Sequence, residues 1–232
     1  MDDFNDGDLL NNPVWSGDIA DFEVDANLEL HLNATAAENE SHLSTPSDII
    51  NNAVWEIKLR MEFNPTSSNR AYVYLVSDQS DLENPLNGYY VMLGNTADEV
   101  SLYRKTGSTS TKIIDGGDGS LNLSIVELGI RVTRDGVGNW ELFSDIGNTG
   151  TYVSEGQTLD ATHTSSSFFG VNCDYTATRS TLFYFDNVNV TGDGFIDTES
   201  PLIQSLTVID ALHIDLLFNE ALDAATAEAL SS

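Results

Sequence analysis

The segment Val54–Phe63 alternates apolar and polar side chains without interruption. Its apolar residues all fall on one face: Trp55, Ile57, Leu59, Met61 and Phe63. The residues between them are charged, and a period of two sustained over this length predicts a β-strand with one face in a core and the other in water. We expect those five side chains to point inward.

Similar short segments recur through most of the chain, and turn residues separate them. Predicted strands include Phe22–Val24, Leu28–Leu32, Ala71–Ser77, Gly88–Leu93, Glu99–Arg104, Lys112–Asp115, Leu121–Ile125, Leu128–Arg134, Asn139–Ser144, Thr151–Ser154, Phe168–Cys173 and Leu182–Val190. Glycine, proline, asparagine and aspartate cluster between them, as turns require. Because no amphipathic segment of helical length separates the strands, the pattern predicts an all-β protein built as an antiparallel β-sandwich of the jelly-roll kind.

The charge of the chain excludes several classes of partner. Nine lysines and arginines oppose 37 aspartates and glutamates, so the formal net charge is -28. Nucleic acids and anionic lipids would be repelled by this surface, so we expect no nucleic-acid partner. The sequence has no apolar run of membrane-spanning length, so we also expect no membrane insertion. A single cysteine, Cys173, lies in an apolar strand-like segment, and we expect a buried thiol; the four histidines show no recognisable arrangement around it.

The composition changes near Gly192–Pro201, where acidic residues, glycine and proline indicate a linker. We therefore assign residues 1–196 to the sandwich and residues 197–232 to a linker and the start of a second, truncated domain. Two further strands, Ile203–Ile209 and His213–Phe218, are predicted in that tail. The alternative is that these strands extend an edge of the sandwich.

Both parts of the chain resemble known families. The tail, SPLIQSLTVIDALHIDLLFNEALD, resembles the opening of a bacterial immunoglobulin-like repeat, with a proline before the first strand and an F-x-E-x-L-D-type ending. Residues 2–190 resemble concanavalin A-like (laminin G-like) sandwich modules through DDFNDGD, NPVWSGD, LSTPS, YLVSD, PLNGYYV, EVSLYR, RVTRD, NWELFSD and LFYFDNVNV. The resemblance is to modules found at the N-termini of secreted multidomain proteins of Bacteroidetes-type bacteria. It implies a secreted or cell-surface location, downstream domains in the parent chain, and a glycan or protein ligand.

A calcium site is the predicted cofactor site. The run Asp2-Asp3-Phe4-Asn5-Asp6-Gly7-Asp8 is dense in the hard oxygen ligands that Ca²⁺ prefers. In the sandwiches that this chain resembles, the first strand lies beside the last, and one acid from each can share a structural cation. That resemblance implies Asp3 and Asp186 as ligands of a structural Ca²⁺. The alternative is that both are solvated acids at the ends of strands.

Aromatic side chains are the predicted ligand-binding residues, because an aromatic ring stacks on the apolar face of a sugar. We select Tyr72, Tyr74, Tyr89, Tyr103 and Trp140. The alternative is that these rings pack in the core or at its rim. A polar loop, Ser77–Asn84, offers Asp78, Asp81, Asn84 and Asn87 to a cation or a sugar; its alternative is a hairpin connection closed by Asx turns.

No catalytic motif is recognised. The laminarinase-type enzymes of the concanavalin A-like fold carry a Glu-x-Asp-x-x-Glu run, which this sequence lacks, and Glu38-Asn39-Glu40 is interpreted as a loop. We therefore predict a non-catalytic extracellular module that binds carbohydrate or another surface ligand. The first alternative is a structural or adhesive spacer domain, and the second is a glycoside hydrolase of the same fold.

Overall fold

The computed structural model describes residues 2–194 and 202–218. The strands are β1 (Ser16–Gly17), β2 (Phe22–Val24), β3 (Leu30–Leu32), β4 (Asn39–Pro46), β5 (Ile49–Met61), β6 (Arg70–Ser77), β7 (Leu86–Gly94), β8 (Glu99–Gly107), β9 (Thr109–Ile114), β10 (Val126–Arg134), β11 (Asn139–Ile146), β12 (Val153–Leu159), β13 (Phe168–Tyr175), β14 (Phe183–Gly194), β15 (Ile203–Val208) and β16 (Ile214–Phe218). A 3-10 turn spans Ile19–Asp21.

Two seven-stranded sheets make up the sandwich. Sheet A has the order β1-β4-β13-β6-β7-β8-β9, and sheet B has the order β12-β11-β10-β5-β14-β3-β2. Neighbouring strands in both sheets are antiparallel. The predicted all-β sandwich is therefore confirmed. β4 pairs with β1 on one side and with β13 on the other, and β13 comes much later in the chain. The pairings on this side of sheet A therefore join segments that are distant in sequence.

The alternating segment forms the centre of sheet B, where β5 pairs with β10 on one side and β14 on the other. Trp55, Ile57, Leu59 and Met61 are all at most 3% exposed, and Phe63 just beyond the strand is 3% exposed. The predicted inward face is confirmed. Each such side chain contributes about 1.5–3 kcal/mol when fully buried, so this strand is a large part of the core.

Two strand assignments from the sequence differ from the structure. Residues 121–125 form turns and bends rather than a strand, with Leu121 buried and Leu123 and Ile125 exposed. Only one of the three alternating apolar residues therefore reaches the core, because the Gly-rich turn before them ends at Leu121. In contrast, β4 was not predicted, since its sequence NESHLSTP is mostly polar. Two of its polar residues, His42 and Ser44, contact a loop described below.

Sheet A is apolar on both faces at β6. Ala71, Val73 and Leu75 pack into the main core between the sheets. Tyr72 and Tyr74 project from the opposite, outer face. There they form a second apolar cluster with Leu82, Leu86, Tyr90, Met92 and Tyr103.

The β6–β7 loop covers part of this outer face. Leu82 is fully buried, and a Cβ on Gly170 of β13 would lie only 2.7 Å from its Cδ1 atom. The Ser44 hydroxyl donates a hydrogen bond of 2.7 Å to the carbonyl of Ser80, and Lys105 donates one of 3.1 Å to the carbonyl of Asn84. The loop is thus fastened to strands on both of its sides, with Leu82 inserted between them.

The chain divides into two compact units, residues 1–195 and 196–232. In the second, β15 and β16 form an antiparallel hairpin. The predicted linker at Gly192–Pro201 starts too early, because residues 192–194 belong to β14. Residues 195–201 and 219–232 lie outside the described residues, so the assignment of 197–232 to a truncated immunoglobulin-like domain stays a prediction. Within the described part of the chain, no helix has the length and apolar character needed to cross a membrane.

Candidate functional site

The structure brings three of the predicted ligand-binding tyrosines together on the outer face of sheet A. Tyr72, Tyr74 and Tyr103 surround Tyr90, with ring centroids 5.7, 5.1 and 5.2 Å from that of Tyr90. Each of these four rings is at most 9% exposed, because they cover one another and the β6–β7 loop covers them. The tyrosines therefore form the floor of this face rather than an open stacking platform, and their contact with a ligand stays a prediction.

Tyr89 and Trp140 lie elsewhere, in the core between the sheets. The Trp140 ring stacks on Trp55 with centroids 5.6 Å apart, and its indole nitrogen donates a 2.9 Å hydrogen bond to the carbonyl of Asp160. Tyr89 is fully buried and donates a 2.8 Å hydrogen bond to the Asp160 carboxylate. Ligand contact by Tyr89 and Trp140 stays a prediction.

A polar recess of the outer face lies where β4 begins and β13 ends. It is a groove of about 410 Å³ lined by Glu38, Asn39, Glu40, Ser67, Ser68, Asp174 and Tyr175. Asn39 and Glu40 belong to β4 rather than to a loop, which corrects the interpretation from the sequence. Glu40 is paired directly with Asp174 of β13, so both carboxylates project from the same face of the sheet.

Hydrogen bonds hold Asp174 in place within this groove. The guanidinium of Arg70 and the hydroxyl of Tyr72 each donate a 2.7 Å bond to its Oδ2 atom. Burial and the neighbouring Asp174 carboxylate raise the pKa of Tyr72, so this hydroxyl remains a donor at neutral pH. A tyrosine of the aromatic floor thus orients a groove carboxylate.

Glu40 lies in a region of excess negative charge. Burial raises its pKa, as do the negative charges of Glu83 and Asp174. The two groove carboxylates lie side by side on neighbouring strands of one sheet, and their oxygen atoms can accept hydrogen bonds from hydroxyl groups.

Asp78 and Asp81, two of the carboxylates between β6 and β7, are bonded to nearby residues of the same hairpin. Asp78 accepts bonds of 2.8 Å from the backbone and side-chain nitrogens of Asn87. Asp81 accepts bonds from the backbone of Glu83 and from Asn84. These are the Asx-type turns of the alternative interpretation, and binding of a sugar or cation by this loop stays a prediction.

The predicted calcium ligands lie near each other but line different cavities. Residue 2 bridges Val188 in antiparallel fashion, so the start of the chain lies beside β14. The negative charge of Asp3 contributes to the raised pKa of Asp186, after burial and the charge of Glu29. Asp186 lines one cavity and Asp3 another, and Lys58 lines both.

The cavities at Asp3 and at Asp186 both offer oxygen atoms to a hard cation. The cavity at Asp3, about 260 Å³, is also lined by Glu56, Asn187 and Asn189, and the buried Oδ1 of Asn189 has no hydrogen-bond partner among the described residues. Ca²⁺ takes about six to eight oxygen ligands, and the Asp3–Asp186 pair alone supplies too few. The ammonium of Lys58 also supplies positive charge there. Calcium bound by this pair stays a prediction.

Sequence reasoning missed Glu40 and Asp174, although one signal was present. In the segment FFGVNCDY, Phe169, Val171 and Cys173 are buried in the core, as alternation predicts. The same phase places Asn172 and Asp174 on the outer face. No comparable signal exists for Glu40, because β4 lacks an apolar alternation.

Comparisons with known proteins show similarity to lectin-like sandwich domains. The VIP36 exoplasmic/lumenal domain in a Ca²⁺- and mannose-bound form matches with a TM-score of 0.58 at 12% identity over 90% of each chain. A legume lectin-like domain from Entamoeba histolytica matches with a TM-score of 0.59 at 10% identity, covering 80% of this chain and 92% of that one. The Emp46p carbohydrate recognition domain matches with a TM-score of 0.55 at 14% identity, covering 84% and 96%.

At these identities the similarity establishes the fold. No known protein family and no curated protein matches the sequence. The structural neighbours are legume-lectin-like sandwich domains, and this chain shares their arrangement of two packed antiparallel sheets.

Proposed function

We propose that this chain is a non-catalytic carbohydrate-binding module, and that its ligand binds in the groove between Glu40 and Asp174 on the outer face of sheet A. The groove itself is the main support for the proposal. Its volume of about 410 Å³ falls in the range of small-ligand sites, and its lining combines carboxylates, an amide and hydroxyls. These groups can bond to the hydroxyls of a sugar, which are both donors and acceptors.

The structural neighbours add support through the ligands that they bind. VIP36 domains are described with mannose and with Man3GlcNAc, in both cases together with Ca²⁺. We extend this to a glycan ligand for the present chain, with Ca²⁺ as a structural cofactor near Asp3. A secreted or cell-surface location fits a module of this kind, and the strongly acidic surface suits a neutral ligand rather than an anionic one.

A glycan array probed with the full chain tests the proposal, followed by calorimetric titration of the glycan that binds. Glu40→Gln and Asn39→Ala are the test variants. Glu40→Gln is expected to weaken binding about tenfold or more, since a hydrogen bond to a charged group contributes about 1.5–3 kcal/mol, and Asn39→Ala up to about tenfold, since a bond between neutral groups contributes about 0.5–1.5 kcal/mol. Glu141→Gln is the matched control, because Glu141 lies in a groove on sheet B with Asn139 and Gln157. Equal loss in the control, or unchanged binding in both groove variants, would contradict the assignment.

The spacer alternative has one observation in its favour. The aromatic cluster on the outer face is at most 9% exposed, so no ring there is open for a sugar to stack on. Absence of any array signal, with and without Ca²⁺, would favour this second function.

A further inference from the structure

A cluster of metal-ligating side chains lies beside the proposed groove, and neither the fold comparison nor the proposed function uses it. Asp18 follows β1, His42 belongs to β4, and Glu83 lies in the β6–β7 loop. One ligand atom from each, including a ring nitrogen of His42, lies within 4.8 Å of the other two. Three separate segments of the chain thus converge on one point.

The distances within the cluster resemble the edges of a metal coordination shell. The Nδ1 atom of His42 is 3.1 Å from Oδ2 of Asp18 and 3.3 Å from Oε1 of Glu83. Zinc bonds of about 2.0–2.2 Å in a tetrahedron place neighbouring ligand atoms roughly 3.4 Å apart. The two distances from His42 are therefore within a few tenths of an ångström of those in a tetrahedral zinc site, and the two carboxylate oxygens lie within 4.8 Å of each other.

The local structure holds two of these ligands in place. The backbone nitrogen of His42 donates a 2.9 Å hydrogen bond to Oδ2 of Asp18, which orients that carboxylate. The His42 ring packs against Gly17, where a Cβ would lie 3.0 Å from Nε2. Such fixing of ligands by surrounding groups is typical of metal sites.

A second observation comes from Asn172, which lies directly opposite His42 in the β4–β13 register. Its side chain therefore projects from the same face beside the imidazole. Asn172 is 3% exposed, yet its Oδ1 atom has no hydrogen-bond partner within the described residues. A buried acceptor left unpaired beside the imidazole indicates that a cation or its bound water belongs next to it.

We infer that Asp18, His42 and Glu83 bind a divalent transition-metal cation of the Zn²⁺ type, with water at the remaining position. An imidazole nitrogen with two carboxylates suits Zn²⁺, whereas Ca²⁺ and Mg²⁺ prefer all-oxygen shells. The site is separate from the calcium position near Asp3, and it does not depend on glycan binding.

Calorimetric titration of the untagged 232-residue chain, stripped of metal with a chelator, tests the inference. ZnCl₂ is expected to bind one tight site, whereas CaCl₂ and MgCl₂ at the same ionic strength bind there far more weakly. In His42→Asn and Glu83→Gln the affinity for Zn²⁺ should fall by at least about 10–100-fold. Co²⁺ is a second probe, because a tetrahedral site with a nitrogen ligand gives intense visible absorption.

His31→Asn is the matched control. The Nδ1 atom of His31 lies 3.3 Å from Oε1 of Glu23, the same spacing as in the His42–Glu83 pair, but the metal-binding cluster does not include it. This variant should bind Zn²⁺ like the wild type. Glu83 is on a loop and a third exposed, so Glu83→Gln keeps the fold and decides the question if His42→Asn does not fold.

Three results would overturn the inference. Weak binding of several ions, equal in wild type and all variants, would show diffuse attraction to the acidic surface. Equal affinity for Ca²⁺ and Zn²⁺ at this site would exclude a transition-metal site. No Zn²⁺ heat at all would mean that His42 only pairs with the two carboxylates and holds no metal ion.

Discussion

Replacement of Asp160 by asparagine is expected to destabilise the sandwich without weakening ligand binding. Asp160 is 9% exposed, and its Oδ1 accepts hydrogen bonds of 2.8 Å from the Tyr89 hydroxyl and 3.0 Å from the backbone of Thr162. Its Oδ2 forms an ion pair with Arg104. Asparagine keeps the shape of the side chain but removes the charge, so the partners lose a charged acceptor.

The size of the effect follows from these contacts. Hydrogen bonds to a charged group contribute about 1.5–3 kcal/mol each, and removing one partner of a buried pair costs about 3–5 kcal/mol. Arg104 is 27% exposed, so water replaces part of its lost interaction. We expect a loss of about 3 kcal/mol in the free energy of unfolding, or roughly 6–12 °C in melting temperature for a domain of this size.

Urea unfolding and thermal melting measure the loss, with Asp118→Asn as the control because Asp118 is exposed in a turn.

Burial acts to raise the pKa of Asp160, but hydrogen bonds from Thr162 and Tyr89 and the charge of Arg104 outweigh it and lower the pKa. A lowered folded-state pKa stabilises the protein above the unfolded-state pKa, near 4, and this stabilisation disappears as the pH falls through the folded-state value. The difference between wild type and variant should therefore shrink below about pH 4.

Equal stability of Asp160→Asn and wild type at neutral pH would refute this reasoning. Glycan affinity distinguishes the two roles considered for Tyr89 and Trp140, both of which bond to Asp160. If the variant stays folded and its glycan affinity is unchanged, these aromatics act in the core. A selective loss of affinity would instead indicate that they contact the ligand.

Three further predictions concern the cation, the loop and the tail. Saturating Ca²⁺, at about a hundredfold excess over its dissociation constant, should raise the melting temperature roughly 5–10 °C above a NaCl control of equal ionic strength. Asp3→Ala should abolish the shift, as should Asp186→Ala if the two carboxylates share the ion. Equal melting in both salts would exclude the site under those conditions. Leu82→Ala should cost about 2–5 kcal/mol, because the side chain is fully buried above the tyrosine floor. A urea midpoint within error of wild type would show that the loop is not part of the packed structure. Removal of residues 197–232 should change the melting temperature little, and a fall of many degrees would place the tail within the sandwich.

The sequence left two roles open for the outer-face tyrosines: packing in the core or its rim, and an exposed platform for a ligand. At β6 the residues on both faces are apolar or aromatic, so alternation shows that Tyr72 and Tyr74 share a face but not which face borders the main core. Whether the two tyrosines are exposed depends on Leu82, a residue of the β6–β7 loop that packs on them and covers their face. Alternation also predicts a strand at Leu121–Ile125, but these residues form turns and bends instead.

The sequence by itself determined the fold class and the inward phase of Val54–Phe63. Both follow from periodicity, which is a property of short segments. Only the tertiary structure decided which polar residues meet. Asp174 reaches Glu40 across a pairing of strands distant in the chain, and Glu83 reaches His42 from a folded loop. Such contacts depend on strand order and loop position, and no local pattern of side chains encodes either.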